Sequence, residues 1–411
     1  MESGIVHRGR TAGLLALVAS MIACGGARNP STAGSTSTPL QTDAEENFRL
    51  RAVIAVPNRP LTAFDISWVD QTTQKYYLAD RSNAGVDIFD ALLNTFVHRV
   101  PGFVGVDIRG NDFSGPNGVL TITSRHELWA GDGPGAAMNS SVKVIDLSMN
   151  PPQIVQTIFT NGQRRSDEMS FDPEEEIVAV VNNADNPPFM TLISSRPPRH
   201  VLGRITFDEN LGRPFGVMAF TDGLEQSVWN PDTHLIYLSV PELDGVFENG
   251  AIGVIDPRSR TLIDLFRVHN CHPAGLALGP NQKLLIGCSD PSRTVVMNAR
   301  NGMVHTEILE VGGSDEVWFN PGDDRYYLAA RTNPSGPVLG IINARNNHFV
   351  TKITTAFNAH SVAANSNDNH VFVPLTPQRA GHPEDPNTCV DFGGHGFDGR
   401  GCIGVYWASD D

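Results

Sequence analysis

Apolar and polar positions along this chain follow the short period of β-strands and are broken every few residues by Gly, Pro, Asn or Asp; no stretch carries a convincing 3.6-residue helical period. The stretch "FDISWVDQTTQKYYLADRS" from Phe64 shows the unit: an alternating strand, a polar turn and an apolar strand. The unit returns as "SDEMSFDPEEEIVAVVNN" from Ser166, "LEQSVWNPDTHLIYLSVP" from Leu224 and "PAGLALGPNQKLLIGCSD" from Pro273. It recurs as "GGSDEVWFNPGDDRYYLAAR" from Gly312 and "AHSVAANSNDNHVFVPLT" from Ala359, with a weaker copy, "PNGVLTITSRHELWAGDG", from Pro116. A third strand-like run follows the hairpins, as in "GVDIFD", "SVKVIDL" and "VLGIINA", and most units add a fourth, such as "QIVQTIF" or "VTKITTA".

Aligned on the turn, the seven units place Asp65, Asn117, Asp167, Glu225, Ala274, Asp315 and His360 in one column, at intervals of 52, 50, 58, 49, 41 and 45 residues. Four antiparallel strands at that spacing predict an all-β fold, a seven-bladed β-propeller. The last unit has a late third strand, "CIGVYWA", and lacks a fourth. The run "RLRAVIAVP", Arg49 to Pro57, has no other home and is expected to complete that blade, closing the ring without free edges. The repeat resembles the seven-bladed YncE-like (YVTN repeat) and lactonase-type propellers over nearly the whole chain from residue 49.

The N-terminus reads differently. Arg8 and Arg10 precede "AGLLALVASMIAC", too short for a membrane span and suited to an export signal over residues 1–24. It resembles a bacterial lipoprotein signal, which would make Cys24 the lipidated residue, the only link to a membrane, and place the protein in the cell envelope. Residues 25–48 are a polar tether with little to bury. The remaining cysteines, Cys271, Cys288, Cys389 and Cys402, form an even set compatible with two disulfides. Cys271 and Cys288 flank one hairpin, while Cys389 and Cys402 bracket a glycine-rich stretch within a C-terminal insert, 377–401; other pairings stay open.

Composition narrows the function. The 411 residues carry a formal charge of −15 with no basic tract, which argues against nucleic-acid binding. In a propeller the opening residue of each inner strand faces the channel mouth, so the column becomes a ring with four carboxylates, Asp65, Asp167, Glu225 and Asp315, beside Asn117 and His360. Glu168, Gln226 and Glu316 occupy the adjacent position, and His272 is expected to lean over the gap at Ala274. Crowded carboxylates repel unless protons, ordered water and hydrogen bonds, a cation or a basic ligand offset the repulsion.

A second resemblance enters at these residues. Glu225 to Trp229 is similar to the "ExxxW" context of senescence-marker-protein/gluconolactonase and paraoxonase propellers, Pro116-Asn117-Gly118 to their "PNG", and Asp167-Glu168-Met169 to their "DxM". The resemblance implies a divalent metal, Ca²⁺ before Mn²⁺ or Zn²⁺, held by Glu225, Asn117 and Asp167 with Asp315 or Asp65. Glu225, Asp167 and His360 would then be the catalytic candidates in lactone or ester hydrolysis. Those families have six blades, one fewer than counted here.

Other motifs carry less. "GDGPG" lacks the lysine and helix of a phosphate loop, and neither a nucleophile elbow nor HExxH occurs. His269 and His305 fall on different strands. The insert, with His382, Asp391, His395 and Asp398, reads as a packing loop before a lid or surface metal site. Trp68, Trp229 and Trp318, taken as one inner-strand position, read as core between blades. Three functions fit: a binding lipoprotein taking a cation or small ligand, a metal-dependent lactonase or esterase, and a metal-dependent lyase or oxidase in which His360 and His272 join the carboxylates.

Overall fold

Five of the seven hairpins turn at an Asp or Asn that ends the inner strand or directly follows it. Asp70 Oδ1 accepts the backbone N–H groups of Thr72 (2.9 Å) and Thr73 (3.0 Å). Asp172 does the same for Glu174 and Glu175, and Asn230, Asn320 and Asn365 each accept from the N–H two residues on. Four residues after each of these stands a left-handed residue: Gln74, Glu176, His234, Asp324 and Asn369, with φ from 53° to 59°. A side chain that closes its own turn gives these five hairpins a local cause.

The computed structural model describes residues 47–408, which form seven four-stranded antiparallel sheets arranged as a seven-bladed β-propeller. Blade one runs Ser67–Asp70, Lys75–Asp80, Gly85–Asp90 and Thr95–Pro101, from the channel outwards. The other inner strands are Val119–Ile122, Met169–Asp172, Ser227–Asn230, Pro273–Gly279, Val317–Asn320 and Ala363–Ala364. The second and third strands of each blade are buried on both faces, so they read as nearly continuous apolar runs. The outer strands alternate: Gln153–Phe159 exposes Gln153, Val155, Thr157 and Phe159. Core clusters lie between neighbouring blades; one joins Ile177 and Leu192 of the third to Ile236 and Ile255 of the fourth.

The ring closes as expected, one residue early. Phe48–Ala55 pairs antiparallel with Cys402–Ala408, Phe48 opposite Ala408 and Ile54 opposite Ile403, with a bulge between Leu50 and Ala52. The last sheet is thereby completed by the first strand. The export signal, Cys24 and nearly all of the tether lie outside the described residues.

Both disulfides form, Cys271–Cys288 and Cys389–Cys402, with Cα atoms 5.1 and 5.9 Å apart. Such bonds fit an oxidising compartment, and among the described residues no helix is long and apolar enough to cross a membrane. Replacing Cys271 and Cys288 together with serine is expected to cost roughly 3 kcal/mol, the loop-closure value for a bridge of this span. Urea denaturation without reductant checks this, and an unshifted midpoint would count against the bridge.

The insert carries a short helix, Thr388–Gly393, whose Cys389 joins the core of the seventh blade while Thr388 Oγ1 donates to Thr355 O at 2.5 Å. His382 pairs with Glu384 and His395 with Asp398 at the surface, and none of these lines the channel mouth. The tryptophan reading needs correction. Trp68 and Trp318 are second in their strands and Trp229 is third, and all three are partly exposed to a cavity along the channel as well as packed on core clusters.

Candidate binding site at the channel mouth

One pair of backbone bonds places the acidic column. Asp65 N donates to Ala79 O and Ala79 N to Ile66 O; the same exchange holds Asn117, Asp167, Glu225 and Asp315 against the second strands of their blades. Each of these five residues stands two positions before its inner strand. Asp65, Asp167, Glu225, Asp315 and His360 converge on a cavity of about 240 Å³, with Glu168 also in its wall. Asn117 sits behind them, and Ala274 and His272 take no part. His272 Nε2 instead faces Asp222 Oδ2 at 2.7 Å, its Nδ1 faces Ser289 Oγ at 2.9 Å, and its ring stacks on Phe247.

The ring is not purely acidic. Arg81, Arg165 and Arg331 turn into the same cavity. Arg81, 4% exposed, pairs with Asp65 and donates to Asn117 Oδ1 (2.6 Å), Asn111 Oδ1 (2.5 Å) and Pro116 O (3.2 Å). Arg165 Nε donates to Asp167 Oδ2 at 2.5 Å, while its Nη1 is buried without a hydrogen-bond partner. Arg331 Nη1 lies 3.2 Å from Asp315 Oδ2 and 3.3 Å from Asn358 Oδ1. His360 Nδ1 donates to Asn358 O at 2.7 Å, its Nε2 faces Asp65 at 3.4 Å, and Phe64 stacks on the ring.

Two carboxyls in the cavity remain unpaired. Glu168 is 7% exposed and Glu225 is half-buried; neither side chain has a hydrogen-bond partner among the described residues. Burial, with Glu316 and Glu225 nearby, pushes Glu168 well above the usual carboxyl range. Burial also pushes Glu225 up, helped by Asp315 and Asp167. Burial alone would raise Asp65 too, but Arg81, His360 and Arg165 hold it well below its ordinary value. Asp167 sits at about 6, burial outweighing its bond to Arg165.

The adjacent position does structural work in two blades. Gln226 Oε1 accepts from Leu276 N (2.6 Å) and Val317 N (3.2 Å), and Glu316 Oε2 from Val362 N (3.0 Å), tying inner-strand edges together. Burial raises Glu316 well above the carboxyl range.

The donor set does not suit a divalent metal. Asn117 spends its oxygen on Arg81 and its amide on Ser166 O (2.8 Å), and Asp167 is bound to Arg165, so only Glu225 of that trio is free. Gly118 of the "PNG" context has a packing reason, since a Cβ there would come within 2.3 Å of Asp167 O. Among the described residues no group of three or more His, Cys, Asp or Glu gathers as metal ligands. The arginines left a sequence signal: Arg81 and Arg331 each stand 16 residues after the column acid they meet, at the end of a second strand. No family model matches the chain, and no curated protein matches it.

Proposed function

We propose that this protein is a binding propeller whose channel mouth takes a small organic cation through an ammonium or amidinium group. The observation that carries the reading is the unpaired state of Glu168 and Glu225 in a cavity whose other acids are matched. Five carboxyls, Asp65, Asp167, Glu168, Glu225 and Asp315, face three arginines there, which leaves two without a counter-charge. Burial disfavours the charge of those two carboxyls and favours their protonated forms. A basic ligand replaces the protons, so binding releases them and tightens as pH rises. A divalent ion would bring the same charge, but it needs converging oxygen donors that Asn117 and Asp167 do not offer.

Calorimetry and thermal-shift titration at pH 8 test this, with putrescine and agmatine against Ca²⁺, Mn²⁺ and Mg²⁺ on chelator-treated protein. The diamines are expected to bind saturably with proton release. Glu168→Gln combined with Glu225→Gln is expected to weaken them at least 100-fold, the cost of losing about two charge-assisted contacts. A response to metal ions alone, or to nothing, overturns the proposal.

A catalytic reading has one supporting observation: Asp167, raised by burial to about 6, and Glu225, raised further by burial and by Asp315 and Asp167, line one cavity, a base and an acid for proton transfer to a lactone or ester. Turnover of a lactone panel, lost in Glu225→Gln, distinguishes it from binding. The two disulfides support an exported protein, and we place it in the bacterial envelope with Cys24 as the lipid anchor.

A further inference from the structure

Beside the mouth, and sharing Asn111, Arg165 and Glu225 with it, lies a side cavity of about 440 Å³. Three further carboxyls line it. Asp112 precedes the inner strand of blade two, Asp185 follows the second strand of blade three, and Asp222 precedes the inner strand of blade four. The two linings together hold eight carboxyls, the five of the mouth and these three, against the same three arginines. Local partners offset the added charge only in part. Asp222 faces His272, Asp185 accepts the backbone N–H groups of Gln163 and Arg164, and Asp112 lies 3.6 Å from Arg165, which is already bound to Asp167. Asp185 also lines the next cavity along, where Arg164 and Arg204 end the acidic run. Glu225 stands at the junction, in the wall of both cavities. Neither Glu225 nor Glu168, 7% exposed, has a hydrogen-bond partner, yet neither is among the sealed polar groups of the fold: their oxygens stay open to the cavity.

We propose that mouth and side cavity form one elongated site for a linear polyamine, with one ammonium group at Glu168 and Glu225 and a second at Asp112 and Asp222. The site rests on the basic-ligand reading of the mouth and adds the ligand's second charge and its length. Volume supports the extension. The mouth alone, at about 240 Å³, is smaller than most ligand sites, and the side cavity brings the whole within their range of about 300–1,000 Å³. Charge supports it too, since a ligand with a single ammonium group leaves the carboxyls of the side cavity unmatched. Between its charges a polyamine is hydrocarbon, and Phe220 and Pro188 line the same cavity.

Calorimetry at pH 8 with n-butylamine, putrescine and spermidine tests this. On the unaltered protein spermidine is expected to bind roughly tenfold or more tightly than butylamine, with putrescine between them. Asp112 and Asp222 have half-exposed side chains, so Asp112→Asn with Asp222→Asn should weaken spermidine roughly fivefold and butylamine less than about twofold. Glu174→Gln with Glu175→Gln, beyond the far end of the blade-three inner strand, removes the same charge and should leave spermidine unchanged. The extended site is overturned, and the mouth reading stands, if butylamine binds as tightly as spermidine, or if the remote pair matters as much as the side pair, while Glu168→Gln with Glu225→Gln still weakens butylamine. If that mouth pair changes nothing, or no amine binds, both readings fall together. The ligand series on the unaltered protein decides the matter even where a variant does not fold.

Discussion

Replacing Arg81 with methionine is expected to destabilise the protein by about 3–5 kcal/mol, the cost of leaving a buried charge without its partner. Arg81 is almost fully buried and serves four oxygens from three segments: Asp65, Asn117, Asn111 and Pro116. Methionine keeps much of the stem's packing and removes every one of those bonds. Asp65 would keep His360 and the charge of Arg165 but lose its hydrogen-bonded guanidinium, and Asn117 would lose its donor. Urea denaturation at pH 7 reads the effect. Adding Asp65→Asn to the variant should recover a large part of the loss, because the orphaned charge disappears with it. A loss below about 1 kcal/mol for Arg81→Met would mean that the guanidinium does not brace the ring.

The second large effect is a stability that falls as pH rises from 5.5 to 8.5. Glu168, Glu225 and Glu316 have folded-state values raised well above the ordinary range by burial. Blade one adds Asp80 and Asp87, both fully buried and both held by the single guanidinium of Arg99. Burial raises Asp80, and burial with Asp80 beside it pushes Asp87 up to about 8. In each case burial favours, in the folded protein, a proton that the unfolded chain gives up near pH 4. Stability is lost from that ordinary value upwards until the raised value is passed. Asp65 has the opposite sign: its contribution is present above its unfolded value and is lost only on acidification below it. Across pH 5.5–8.5 the raised groups dominate, with a loss on the order of a few kcal/mol. Melting temperatures across that range check the slope, and Glu168→Gln with Glu225→Gln should flatten it. A melting temperature that climbs with pH would show that these carboxyls are ionised in the folded state.

The fold was legible because its causes are local. A strand-ending Asp70 or Asn230 closes its own turn, as in five of the seven hairpins, and the strand–turn–strand pattern let all seven and their spacing be counted directly. Closure was legible by elimination, since the run at Arg49 had one vacant edge to fill. The column acids came together because each holds a fixed offset from its strand. The reach of long side chains was not legible. Arg81 and Arg331 sat inside the quoted repeats at matching offsets, yet nothing in a periodic pattern says that a guanidinium folds back over the channel. His272 escaped for a different reason: its partners Asp222 and Phe247 lie in loops outside the repeat. Trp229 differs from Trp68 and Trp318 by one place, and in a strand one place changes the side to which a residue points.

The pairing of Phe48–Ala55 with Cys402–Ala408 also orders events in time. Six sheets are built from contiguous sequence and can assemble while the chain is still emerging; the seventh must wait for both ends. Joining segments so distant is the slowest kind of contact to make. Until it is made, two strand edges lie open, each matched in register and chemistry to the corresponding edge on a second copy. Exchange of the first strand between two unfinished rings would satisfy every native backbone bond and leave the pair interlocked. The strand that gives the finished ring no edges is thus also the handle by which two growing molecules can become entangled.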